Sequence, residues 1–279
     1  RMTPSNERRL LSLPRWKTLG QMGVYGDGAL LYQSHGSPIH NGYNHPLLLP
    51  LNASAGTLSP QSVLIRVDRL RNSGSGFSTL WVGDEASLSW RYQLRQLLQV
   101  QLPFMGSAAF LAVGAFAFAV WLGRRRESLY LLFFAISAMA FLRTLHYYAG
   151  GSYIPISDDW FEWMTVSSLL WLIILIHLFL QRLHQQPSVW LTRISIGLVL
   201  ACNITTLPHL STKIVNLYLF TPLLNLAVLP VAVLIFTVNL RKSLRTQLTE
   251  GQLVAGWAVF EVALTSYDRL LQNNLVRPE

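Results

Sequence analysis

An arginine and a histidine interrupt an otherwise apolar stretch at the segment LRTLHYYAG. Arg143 and His146 lie three residues apart there, and this spacing places them on one face of a helix. Three interpretations are open. In the first, the two side chains extend to the outer interface of the membrane beside Tyr147 and Tyr148. In the second, they join a polar cluster that locks helices together. In the third, they form a ligand- or proton-sensing site, since histidine titrates near neutral pH.

The last apolar stretch of the sequence carries two carboxylates. Glu261 and Asp268 lie seven residues apart and share a helix face, and Asn225 on the preceding stretch lies at a depth similar to that of Glu261. Ionisable groups inside a membrane face the bundle interior and find partners, and an Arg143–Asp268 pair is geometrically possible. The candidate intramembrane polar cluster therefore comprises Arg143, His146, Glu261, Asp268 and Asn225.

The motifs expected of an intramembrane enzyme are absent from the sequence. It contains neither an H-E-x-x-H pair of metal ligands nor a G-x-S-x-G nucleophile turn. Its lysines, Lys17, Lys213 and Lys242, lie outside the apolar stretches, which argues against a retinal pigment. The single cysteine, Cys202, cannot form an intrachain disulfide. We expect no catalytic activity, no metal and no cofactor in this chain.

The elements that must position these residues are membrane spans. Hydrophobic residues make up 51% of the chain and charged residues 13%, against roughly a quarter charged in soluble domains. After residue 102, apolar runs of about 20 residues recur, which suits helices that cross a hydrocarbon layer of ~30 Å. Six transmembrane helices are predicted within residues 103–279, at 103–123, 129–149, 161–181, 189–208, 215–239 and 252–272.

The distribution of basic residues predicts the orientation of these spans. The net charge is +9, but the loops GRRRES, QRLHQQPSVWLTR and NLRKSLRTQ, after the first, third and fifth spans, carry much of it. Basic loops mark the cytoplasmic side. This placement argues against binding to nucleic acid. It predicts a multi-pass protein of the bacterial inner membrane with its amino-terminal region in the periplasm.

Residues 1–88 have the pattern of an extracytoplasmic β-sandwich. The segments ALLYQS, PLLLPLN, SVLIRVDRL and STLWVGD are predicted strands, with GDG and NSGSG as turns. Residues 89–102 show helical spacing and are predicted to connect the sandwich to the first span. Trp16 and Trp81 are candidate ligand-contacting aromatics, since sugars stack on exposed rings, although a tryptophan in the core is the commoner case.

Four segments carry a resemblance to a known family. LWVGDEASLSWRYQLRQ leads into the membrane, GRRRESLYLLFF forms the first cytoplasmic turn, LRTLHYYAGG closes the second span, and SYDRLLQNN lies in the sixth. Together they resemble bacterial seven-transmembrane receptors with diverse intracellular signalling modules. The resemblance implies a jelly-roll-like sensor domain, a seventh helix, and a cytoplasmic histidine kinase or diguanylate cyclase. We expect this chain to hold part of the sensor and to stop before the seventh helix.

Two functional hypotheses follow. In the first, the chain is the sensory and transmembrane part of a signal-transduction receptor, which binds an extracytoplasmic small molecule or carbohydrate and forms a homodimer through its signalling helices. In the second, it is a small-solute transporter or accessory membrane subunit that uses the buried Glu261, Asp268 and Asn225.

Overall fold

The structure is a computed structural model that describes residues 9–18, 20–34, 45–52, 60–68, 76–148, 156–185, 187–211, 217–246 and 249–272. Side chains are described there except at 17, 146–148, 209, 211, 217–229, 246 and 261–272. The chain divides into two compact units. The β unit extends to Gly106 and includes Leu145–Asp158, and the helical unit comprises Ser107–Thr144 and Asp159–Arg277.

Short antiparallel strands build the β unit. They are β1 (Arg9–Leu13), β2 (Trp16–Lys17), β3 (Met22–Gly26), β4 (Ala29–Gln33), β5 (Leu47–Pro50), β6 (Val63–Val67), β7 (Gly76–Phe77) and β8 (Trp81–Asp84). One three-stranded sheet has the order β5-β1-β8, a second has the order β4-β3-β6, and β2 pairs with β7. The four strands predicted from the sequence correspond to β4, β5, β6 and β8.

The two three-stranded sheets share an apolar core, as in a sandwich. Leu11 of β1 packs with Val24 of β3 and with Leu51, and Leu13 packs with Met22 and Trp16. Each central strand supplies side chains to both clusters, so the sheets stabilise one another by burial of these groups. In β6, Leu64 and Arg66 are exposed while their neighbours are partly buried, which confirms the predicted alternation.

A tight turn joins β3 to β4 at the predicted GDG segment. Asp27 and Gly28 have φ angles of 46° and 88°, the left-handed conformations that a two-residue hairpin turn requires. The carboxylate of Asp27 accepts hydrogen bonds from the backbone N–H groups of Gln61 (3.0 Å) and Ser62 (2.9 Å). These bonds hold the pKa of the carboxyl below its usual value. Residues 72–75 of the predicted NSGSG turn lie outside the described residues.

A long helix follows β8 without an intervening loop. It comprises α1 (Glu85–Gln96), a π turn (Leu97–Gln101) and α2 (Leu102–Gly123). Pro103 lacks a backbone N–H, so the helix cannot keep its regular hydrogen bonds there, and the N–H of Leu102 instead donates to the carbonyl of Leu97, five residues back. The predicted connector of residues 89–102 lies inside this helix, which begins at Glu85.

The remaining helices are α3 (Ser128–Tyr148), α4 (Asp158–His184), α5 (Val189–Thr205), α6 (Pro208–Ser211), α7 (Leu217–Thr246) and α8 (Thr249–Gln272). Each of the six predicted spans overlaps a helix, but the described residues support fewer than six membrane spans. Among the described residues, only three helices are both long and apolar enough to cross a membrane, Glu85–Gly123, Ser128–Leu145 and Asp158–His184. The apolar helix α5 is shorter, and α7 and α8 include many side chains outside the description.

Hydrogen bonds show the relative directions of three helices in the helical unit. The indole N–H of Trp163 donates to the carbonyl of Asn203 (3.0 Å) near the start of α4 and the end of α5, so these two helices are antiparallel. His177 of α4 contacts Asn239 of α7, and His184, one helical repeat later, contacts Ser243. The contacts follow the same order along both helices, so α4 and α7 run in the same direction. The chain therefore returns between them through α5.

Candidate functional site

A row of polar side chains lies on one face of the apolar helix α4. His177, Gln181 and His184 occupy positions i, i+4 and i+7, which coincide on a helix surface. All three side chains are buried, and His177 has no exposed surface. Buried polar groups in an apolar setting are costly unless they are hydrogen-bonded, so their partners determine what this row can do.

His177 connects three helices. Its Nε2 lies 2.6 Å from Nε2 of Gln181 and 3.3 Å from Oγ1 of Thr192 on α5, and its Nδ1 lies 2.9 Å from Nδ2 of Asn239 on α7. The Gln181 amide also donates to Oγ1 of Thr192 at 2.9 Å. A neutral imidazole has one acceptor nitrogen, so one of the two amide nitrogens donates a hydrogen bond to the ring. The ring is thereby fixed between α4, α5 and α7.

His184 makes the second set of contacts, to α7 and α8. Its Nε2 lies 2.7 Å from Oγ of Ser243, and that hydroxyl lies 3.2 Å from the carbonyl oxygen of Gly251. A Cβ atom at Gly251 would overlap the imidazole of His184, so glycine allows the ring to lie directly against the backbone of α8. We call His177, Gln181, His184, Thr192, Asn239, Ser243 and Gly251 the polar ladder.

The Ser243–His184 contact has the distance expected of a nucleophile and its base. A nucleophile must reach its substrate, and Ser243 has no exposed surface. Its hydroxyl is engaged by His184 on one side and by the Gly251 carbonyl on the other. This geometry suits a contact that holds helices together better than it suits hydrolysis.

The polar ladder lies near helix ends that carry several basic residues. His177 is seven residues, about 10 Å, from the end of α4. The basic residues around these ends are Arg182, Arg193, Arg241, Lys242 and Arg245. The ladder therefore lies toward the basic ends of these helices.

The structure describes the predicted intramembrane cluster only in part. Arg143 lies on α3 with a partly buried side chain. His146 lies at the end of the same helix, Asn225 on α7, and Glu261 and Asp268 on α8, but these four side chains are outside the described residues. The Arg143–Asp268 pair remains a prediction.

The two candidate tryptophans of the β unit lie in different environments. Trp16 is 5% exposed and packs in the core with Leu13 and Met22, where its ring cannot stack on a bound sugar. Trp81 is 45% exposed, and the guanidinium of Arg91 lies 5.5 Å from its ring centroid. Arg91 also lies 5.6 Å from the ring of Trp90. Of the two, only Trp81 presents an aromatic ring at the surface.

Sequence reasoning did not identify the polar ladder. None of its residues, His177, Gln181, His184, Thr192, Asn239, Ser243 and Gly251, is among the candidate site residues predicted from the sequence. A usable signal was present, because polar residues recur at i, i+4 and i+7 on α4 and at i, i+4 on α7. Nothing local identified them as partners, since His177 and Asn239 are 62 residues apart.

No protein-family model, no curated protein and no solved structure matches this chain.

Proposed function

We propose that this chain is the sensory and transmembrane part of a bacterial signal-transduction receptor. Its β unit, a partial jelly-roll-like sandwich, binds a small molecule or carbohydrate in the periplasm. Its helices cross the inner membrane six times and pass the change to a cytoplasmic output domain, a histidine kinase or a diguanylate cyclase. The chain itself transmits and does not catalyse.

The observation that carries this proposal is the unbroken helix between Glu85 and Gly123. It starts at the residue after β8 and continues for 39 residues, long enough to include a membrane span. Its first turn is fixed to the preceding strand, because the hydroxyl of Ser87 donates to the Asp84 carboxylate at 2.6 Å. A helix of this length transmits a displacement or rotation that a flexible linker would absorb.

The directions of the helices support a bundle of six crossings. Since α4 and α7 are parallel, α5 must return across the membrane between them, and its 17 residues span about 25 Å. The helix α8 begins at Thr249, three residues after the last residue of α7, and carries the chain back. The basic loops then lie on one side, which places the β unit on the other.

In this proposal the polar ladder is the element with two states. A ligand shifts a conformational equilibrium only if it binds the two states with different affinity, and a few kcal/mol is enough. Hydrogen bonds between helices have discrete alternative partners, unlike apolar contacts. The ladder joins α4, α5, α7 and α8 at the inner end, where a change would reach an output domain.

The proposed topology can be tested with single cysteines. In a Cys202→Ala background, Gln33→Cys lies on the exposed side of β4 and Arg126→Cys lies in the loop after α2. A membrane-impermeant maleimide should label Gln33→Cys in cells whose outer membrane alone is permeabilised, and Arg126→Cys only after the inner membrane is opened. The reverse labelling pattern would refute the proposed orientation.

Ligand response is the test of receptor function. The purified chain in lipid nanodiscs would be screened against monosaccharides, oligosaccharides and amino acids by thermal shift. Spin labels at Arg182→Cys and Arg245→Cys would then report the separation of the inner ends of α4 and α7. A receptor predicts that a compound that stabilises the β unit also changes this distance. Binding without any change in the distance would contradict the proposal.

A second candidate function is solute or proton transport, and the specific observation in its favour is the polar ladder. Chains of histidines inside membrane proteins serve as proton relays, and His177 and His184 lie on one helix face. A transporter predicts flux of a solute or of protons into proteoliposomes that is lost in His177→Leu. A receptor predicts no flux in either protein.

A further inference from the structure

The helix between β8 and the membrane has two different faces. Leu88 and Val100 are buried on one face. The other face exposes large apolar side chains. Counted from Trp90, they lie at positions 0, +4, +7, +8, +12 and +15, which form a continuous stripe on a helix containing a π turn. The outer stripe consists of Trp90, Leu94, Leu97, Leu98, Leu102 and Met105, each between 44% and 62% exposed.

Lipid cannot cover the upper part of the outer stripe. Arg124, Arg125 and Arg126 mark the inner end of the helix, and Arg125 lies 5.3 Å from the ring of Trp121. Counting back about 20 residues, the length of a ~30 Å hydrocarbon layer, places the outer boundary near Phe104. Leu94 then lies about 15 Å and Trp90 about 21 Å beyond that boundary, whereas the interfacial layer is only ~5–8 Å thick on each side.

The outer stripe matches a second copy of itself. Between residues 92 and 106 the helix carries one charged residue, Arg95, and glutamines such as Gln93 and Gln101 flank the stripe. Membrane insertion gives every copy the same orientation and depth, so the same residues of two copies lie at the same height. An uncharged apolar stripe is complementary to its own image across a two-fold axis, which is the requirement for an isologous interface.

The available area is compatible with a dimer in a membrane. Half-exposed side chains of these sizes leave on the order of 500 Å² of apolar surface per copy. A stable interface between soluble proteins buries about 800 Å² per partner, including polar groups at its rim. The flanking glutamines supply part of the difference, and two chains already aligned in one bilayer lose less freedom on association than two soluble proteins.

We propose that this chain forms a parallel homodimer through the outer stripe of the Glu85–Gly123 helix, just outside the membrane. The inference rests on the membrane insertion of this helix and not on the receptor proposal. A dimer that responds to no ligand would refute the receptor and leave the dimer intact. A receptor that works as a monomer would refute the dimer and leave the receptor proposal intact.

Disulfide cross-linking in native membranes tests this interface. In the Cys202→Ala background, Leu94→Cys and Leu98→Cys place thiols on the outer stripe. Arg95→Cys is a matched, exposed control, about 100° around the helix from Leu94 and about 60° from Leu98. We expect oxidation to convert the stripe variants to a species of twice the chain mass at least five times faster than the control. Equal rates, no cross-linking, or an adduct of another mass would overturn the proposal.

A second measurement covers the case in which the introduced thiols disturb the interface. Leu94→Glu combined with Leu98→Glu places two like charges opposite their own copies, and Arg95→Glu is the control. Single-molecule photobleaching in membranes should show two copies per spot for the parent and for Arg95→Glu, and one for the double variant. Unchanged circular dichroism would show that the double variant is folded, and two copies per spot in it would contradict the interface.

Discussion

The β unit and the helical unit differ in what they bury and in what they expose. The fully buried side chains of the β unit are mainly apolar, among them Leu11, Leu13 and Met22. The helical unit buries His177, Asn239 and Ser243 beside its apolar residues. It also exposes Phe116 (72%) and Leu253 (70%).

This difference shows which solvent each unit is built for. In water, burial of apolar surface drives folding, and polar groups remain outside. In lipid, apolar side chains gain little from leaving the solvent, so helices associate through small residues and hydrogen bonds. In the helical unit, α2 and α3 approach so closely at Gly114 and Ser137 that a Cβ on the glycine would overlap the serine. The polar ladder has the corresponding role between α4, α5, α7 and α8.

The largest effect is expected from truncation of the β-unit core. Leu11→Ala removes a fully buried side chain between the two sheets and should destabilise the β unit by about 2–5 kcal/mol. Leu64→Ala on the exposed face of β6 is the control. Hydrogen exchange of peptides from residues 9–34 should accelerate in Leu11→Ala only. Equal acceleration in peptides of the helical unit would mean that the two units do not unfold separately.

An intermediate effect is expected where α8 meets the polar ladder. Gly251→Ala places a Cβ against the imidazole of His184, so the ring or the helix must move, at a cost of about 1–3 kcal/mol. Gly256→Ala on the same helix is a matched control, because its Cβ meets open space. Thermal denaturation in nanodiscs should show a lower melting temperature for Gly251→Ala and an unchanged one for Gly256→Ala. Adding His184→Ala should recover part of that loss, and full additivity would exclude the contact.

The smallest effect is expected at the exposed β3–β4 turn and depends on pH. The backbone N–H groups of Ser62 and Gln61 lower the pKa of Asp27 below 3.8. The stabilisation is therefore present above pH 3.8 and is lost as the pH falls through the lower value of the folded state. Asp27→Asn tolerates the positive φ but removes the charge. Hydrogen exchange of the hairpin should be faster in Asp27→Asn at pH 6, and the two proteins should converge at low pH.

Local patterns in the sequence predicted much of the fold. Each apolar run overlaps a helix, although only three helices of the described residues are long and apolar enough to cross a membrane. The alternation in β6 was correct, and the GDG turn is present. Four strands, β1, β2, β3 and β7, were missed, and for the two central ones the reason is physical. β1 and β3 are central strands, so β1 is buried on both faces and shows no alternation. β3 carries glycines at both Gly23 and Gly26, which are typical of turns.

The candidate site was harder to predict, because it depends on which helices are neighbours. Three of the five selected residues, Arg143, Glu261 and Asp268, carry a charge, which is conspicuous in an apolar run. The polar ladder consists largely of neutral amides, hydroxyls and a glycine, which are common in membrane helices. Asn239 and Ser243 acquire significance only when α7 lies parallel to α4, and that arrangement is set by tertiary packing.

The central claim is that the polar ladder holds the inner ends of the helices together. The most direct test is double electron–electron resonance between spin labels at Arg182→Cys and Arg245→Cys in the Cys202→Ala background, with and without His177→Leu. His177→Leu leaves the amides of Gln181 and Asn239 without the ring, at a cost of about 1–3 kcal/mol. We predict a narrow distribution of distances between the two labels. It should broaden or shift in His177→Leu and stay unchanged in Leu253→Ala, a control at an exposed position of α8. Identical distributions in all three proteins would contradict it.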